Sequence, residues 1–120
     1  MIIFSATSFI RNPTLLKILI IIQLLMMTFF SFKTQAALIQ ISISDKVIHF
    51  FAYAIMTLWL HLLFSSKNIF FKSIILLFIY GLIIEFVQYF IPSRSFSIMD
   101  VVANFLGIFC VCYVGKKIKL

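Results

Sequence analysis

Acidic side chains are nearly missing from this chain: of its 120 residues only Asp45, Glu85 and Asp100 are acidic, against ten Lys and Arg. Charged residues of both signs make up 11%, where a soluble globular domain carries about 25%. With 64% hydrophobic residues and a mean hydropathy of +1.22, the shortage excludes an ordinary soluble domain. A chain this short cannot hide that much apolar surface in one small core, whereas lipid accepts it. Glycine is scarce as well, with three residues and no glycine-rich loop to cradle a phosphate. The two histidines, His49 and His61, lie about 18 Å apart along a helix, so they cannot share an ion. No His-x-x-x-His spacing occurs, so no metal site and no cofactor are expected. His61, near the other end of its segment, is expected to bond locally. Cys110 and Cys112 point to different sides of a helix, which argues against a disulfide between them and makes them apolar fillers. The basic residues sit between apolar runs and form no patch, so a nucleic-acid partner is not expected.

Four apolar runs are present: about 15–32, 47–64, 73–90 and 100–114, the last being the shortest. Each approaches the ~17–25 residues that cross the hydrocarbon core. Backbone in lipid must satisfy its own hydrogen bonds, and the runs show no alternation, so they read as helices. The fold class expected is all-α, a bundle of about four transmembrane helices with short links and antiparallel neighbours. Pro92 is expected to end the third helix. Residues 1–14 read as an interfacial segment and 15–120 as the transmembrane domain, with its core at about 40–115. Lys17, an apolar run and Thr34-Gln35-Ala36 also resemble a cleavable signal peptide, but the run is long for one and an uncleaved first span is expected.

With four spans, Arg11, Lys17, Lys67, Lys72, Lys116, Lys117 and Lys119 share one side, and Lys33, Lys46 and Arg94 the other. The excess of basic residues on the first side places both termini in the cytoplasm of a multi-pass cytoplasmic-membrane protein.

On that topology all three acids fall at the outer ends of helices. Asp45, Lys46 and His49 begin the second helix, Glu85 and Gln88 lie near the end of the third, and Asp100 and Asn104 begin the fourth. Arg94, Ser95 and Ser97 occupy the loop between the last two. Asp45 and His49, four apart, share a helix face, as do Glu85, Gln88 and Gly81, and as do Asp100, Asn104 and Gly107. The small residues let helices approach closely. A charge in the bilayer centre costs about 2.5–3.5 kcal/mol on insertion scales, so Glu85 needs a partner, with His49, Lys46 and Arg94 as candidates. Ionisable residues in a membrane are functional candidates, although a cluster that only fixes helix register would look the same from the sequence. Trp59, Tyr80, Tyr89 and Tyr113 read as packing residues or interface anchors.

The ordered pattern Asp45-Lys46-x-x-His49-Phe50, Glu85-x-x-Gln88 and Pro92-x-Arg94-Ser95-x-Ser97-x-x-Asp100-x-x-x-Asn104-x-x-Gly107 closely resembles the VanZ-like family of bacterial membrane proteins. The resemblance covers about residues 40–115. It implies a small multi-span protein of the cell envelope, in a family whose namesake is associated with low-level teicoplanin resistance. Three functions stay open at this point. The polar residues would bind a membrane lipid, a lipid-linked wall precursor or a glycopeptide, with Arg94 suited to phosphate or carboxylate. Alternatively, the chain is an enzyme acting on a lipid-linked phosphate or acyl group. His49, Glu85 and Asp100 are then the catalytic candidates, His49 as acid or base, with Arg94 and Lys46 stabilising charge. In the third reading the chain is a purely structural bundle.

Overall fold

The computed structural model describes residues 8–32, 45–64, 66–92 and 97–118. Four helices organise them: α1 (Pro13–Ser31), α2 (Asp45–Leu63), α3 (Lys67–Gln88) and α4 (Ile98–Lys117). All four are long and apolar enough to cross a membrane, and no strand occurs among the described residues. Thr34-Gln35-Ala36, Arg94 and Ser95 lie outside the described residues.

Local chemistry sets the helix starts. Asn12 caps α1, its side-chain oxygen accepting from the backbone N–H groups of Thr14 (3.0 Å) and Leu15 (3.3 Å), and Pro13 follows at the first helical position. Ser97 caps α4 by accepting from Asp100 N–H at 3.3 Å. Two segments are longer than hydropathy alone indicates. Helix α3 begins at Lys67, six residues before the apolar run, and α4 continues to Lys117, where two lysines complement the helix C-terminus. The role expected of Pro92 is corrected: α3 already stops at Gln88. Tyr89, Phe90 and Ile91 each donate to the carbonyl three residues back, tightening the chain into a turn before the proline is reached.

Burial is inverted relative to a soluble protein. Thr57, Glu85, Gln88, Asp100 and Asn104 are buried, while Leu25, Phe29, Leu76, Phe86 and Phe109 are exposed. Lipid-facing apolar side chains carry no penalty, whereas polar groups must find partners inside the bundle. The core joins Tyr53, Met56 and Leu60 of α2 to Leu77 of α3 and Ile108 of α4.

The most extensive pairing is between α2 and α4. It depends on Gly107, where any Cβ would run into the Phe50 carbonyl oxygen and lie 3.1 Å from Ala54 N. The two backbones therefore touch one turn below Asn104. Gly81 gives α3 a similar approach: a Cβ there would sit 2.8 Å from Tyr53 Oη and 3.2 Å from Asn104 Nδ2. Helix α1 is fastened by polar bonds. Gln23 donates to the Ala52 carbonyl at 2.7 Å and accepts from Trp59 Nε1 at 2.8 Å, and Thr28 pairs with Tyr80 at 2.7 Å. Trp59 and Tyr80 are thus packing residues with satisfied polar tips. At the far end of α2, His61 rests edge-on against Phe70 and beside Gly115.

Candidate functional site

Helices α2 and α4 begin, and α3 ends, at the same end of the bundle. Direct contacts show it. Lys46 Nζ lies 3.7 Å from Asp100 Oδ1, and Glu85 Oε2 accepts from Ser97 N–H at 3.4 Å. Gln88 Nε2 donates to the Ser31 carbonyl at 2.8 Å, bringing the end of α1 to the same level. The acids scattered along the sequence therefore share one rim.

His49 stands at the centre. Its Nδ1 is 2.9 Å from Asn104 Oδ1, and since a carbonyl oxygen only accepts, Nδ1 donates. That bond turns Nε2 toward two carboxylates, with Asp45 Oδ2 and Asp100 Oδ2 each 3.9 Å away. Those separations exceed hydrogen-bond reach. The i,i+4 spacing on α2 sets Asp45 above His49, and the same spacing on α4 sets Asp100 above Asn104, so two helical faces meet as a square of polar groups. The Asp100 side chain is buried and Lys46 is half exposed, so the ion pair is covered on one side only.

Glu85 is wholly enclosed. The expectation of a cationic partner is not met among the described residues: its partner there is the Ser97 backbone N–H. His49 is directed at Asn104, Asp45 and Asp100, and Lys46 at Asp100. Glu85 remains within electrostatic reach of Asp100, His49 and Asp45. Its Oε1 and the Asp100 Oδ1 are buried with no hydrogen-bond partner among the described residues. Gln88, expected at the site, has its amide nitrogen committed to α1.

Two residues given no binding or catalytic role from the sequence matter, although Ser97 already stood in the loop before Asp100. Ser97 both caps α4 and supplies the Glu85 contact, and the Ser97-x-x-Asp100 spacing before an apolar run is a capping signal legible in advance. Tyr53 is buried one turn below His49 against Gly81, on the face already marked by Asp45 and His49.

Beside this cluster runs an apolar groove of about 300 Å³ between α2 and α4. Val47, Phe50 and Phe51 line one wall and Met99, Val102 and Leu106 the other, and Lys46 stands at its polar end.

A family model for VanZ/LLP1 matches residues 1–116. The chain belongs to the VanZ/LLP1 family. A relative, an uncharacterized protein of Schizosaccharomyces pombe, is 37% identical over 75 residues, which cover 60% of this chain and 46% of that protein. The chain thus matches less than half of the relative's length. A fission-yeast relative also means that family membership does not fix a bacterial source. No solved structure matches the chain. Within the described residues, the Asp45-Lys46-x-x-His49 and Asp100-x-x-x-Asn104-x-x-Gly107 parts of the pattern read from the sequence fall on the α2–α4 contact, and Glu85 is the buried carboxylate of α3.

Proposed function

We propose that this VanZ/LLP1 protein is a membrane-embedded binding protein whose polar rim takes the headgroup of a lipid or lipid-linked precursor. The observation that carries the reading is the adjacency of two unlike surfaces, joined by Lys46: the His49–Asp45–Asp100 cluster and the apolar groove between α2 and α4. A ligand with a polar head and a hydrocarbon tail matches both surfaces at once. The basic-residue bias supports a rim at the outer face of a cytoplasmic membrane, with both termini inside. Arg94 and Ser95, in the loop leading to Asp100, would add anion-binding groups.

The enzyme reading is favoured by one specific feature, the orientation of His49 by Asn104, which is how a general acid or base is held. One experiment separates the readings. The full chain, and variants with His49→Gln or Phe51→Trp, are incubated in vesicles with labelled phospholipids and polyprenyl-linked precursors. Binding predicts unaltered lipids retained by the wild type and weakened by Phe51→Trp, which fills the groove without touching the polar cluster. Turnover that vanishes in His49→Gln establishes the enzyme instead. Neither retention nor turnover, with both variants folded, leaves the structural bundle.

A further inference from the structure

We propose that Asp45, His49 and Asp100 bind a divalent transition-metal ion, of the zinc or manganese class, whose open coordination position faces the headgroup site. Three observations carry it. First, one ligand atom from each residue, His49 Nε2 and a carboxylate oxygen from Asp45 and Asp100, lies within 4.8 Å of the other two. Bonds of about 2.0–2.2 Å to a common ion require only that this triangle close by less than about 1 Å. The Asp45 side chain is 42% exposed at the start of α2, so its carboxylate can turn without displacing the core.

Second, the histidine is already braced as a ligand. Metal-bound imidazoles donate their other N–H to an oxygen acceptor, which fixes the ring and the tautomer. Asn104 Oδ1 does this at 2.9 Å and leaves Nε2 directed at both carboxylates, too far from either for a hydrogen bond.

Third, buried carboxylate oxygens gather here: Asp100, paired with Lys46, and the enclosed Glu85 each keep one buried oxygen, Oδ1 and Oε1, with no hydrogen-bond partner among the described residues. Carboxylates in a low-dielectric setting repel one another strongly, and a dication is the compact counter-charge for them. One imidazole with two carboxylates suits zinc or manganese better than magnesium or calcium, which favour all-oxygen shells. Three protein ligands leave a position for a water or a phosphate oxygen. The occupant of that position, and only that, rests on the headgroup reading. The local spacing gives no sign of the site, because its ligands come from two helices and the histidine pairs with a carboxylate instead of a second histidine.

The test uses the full chain in detergent micelles, stripped with a chelator and titrated with Mn²⁺ followed by electron paramagnetic resonance, and with Zn²⁺ followed by metal analysis after gel filtration. The wild type is expected to take up about one ion per chain, bound by deprotonated ligands. Asp45→Asn, at a half-exposed helix start, keeps the fold and abolishes the uptake. Asn104→Leu, which removes the brace and no ligand, weakens affinity about 10–100-fold. His61→Gln, at the opposite end, leaves the uptake unchanged. Equal uptake by the wild type and Asp45→Asn, or no Mn²⁺ and no Zn²⁺ on a helical, monodisperse wild type, overturns the site. Lipid retention is measured on the same samples. Metal bound without lipid refutes the headgroup reading alone, and lipid retained by wild type that takes up neither ion on titration refutes the metal alone.

Discussion

Asn104 and His49 show how much one buried side chain decides. The amide oxygen of Asn104 fixes the imidazole, and the imidazole then selects which carboxylates it faces. Replacing Asn104 by Leu keeps most of the volume and leaves His49 Nδ1 buried without an acceptor. The expected cost is about 1–3 kcal/mol of stability, read by thermal unfolding of the purified protein in detergent. An unchanged unfolding temperature would mean that the bond is not formed. At this scale the sequence was informative about residue types and less so about partners. Asp45, His49, Asp100 and Asn104 stood out because polar groups are rare in an apolar chain. That His49 would meet Asn104, fifty-five positions away, follows from helix pairing and not from any local spacing. Glu85 makes the same point: its need for a partner was legible, whereas the partner found among the described residues is a backbone N–H supplied by the cap of α4.

The pairing of α2 with α4 rests on Gly107. Its missing side chain lets the Phe50 carbonyl approach, and the contact sets the register that brings His49 level with Asn104. Gly107→Ala is expected to force the two backbones apart and to destabilise the bundle by about 1–3 kcal/mol. Lipid retention should fall with it, because the groove and the polar cluster are both built on this pair. Chemical unfolding of the variant beside the wild type measures the first effect. An undisturbed variant would show that α2 and α4 are not in backbone contact. Helix existence was plain from hydropathy, since lengths near the bilayer thickness admit little else. Helix limits were not. Lys67 and Lys72 hid the first turn of α3, and Lys116 and Lys117 hid the last turn of α4, because charged residues at an interface interrupt an apolar run without ending a helix. The turn after Gln88 was credited to Pro92, although the chain leaves the helix earlier.

As a whole the molecule is a bundle turned inside out, with Phe and Ile on the outside and Glu85, Gln88, Asp100 and Asn104 within. The four spans and the family were both legible, because composition selects the solvent and the ordered polar motif selects the family. The groove was not, since it is a property of two helices held at one distance. The central claim is that the polar residues of α2, α3 and α4 meet at a single face of the membrane. Single cysteines at Ser42, Ser95 and Ser66, introduced with Cys110 and Cys112 replaced by Ala, test it by reaction with a membrane-impermeant maleimide in sealed, oriented vesicles. Ser42→Cys and Ser95→Cys are expected to be labelled from the same side and Ser66→Cys only from the other. Labelling of Ser42→Cys and Ser95→Cys from opposite sides would contradict it.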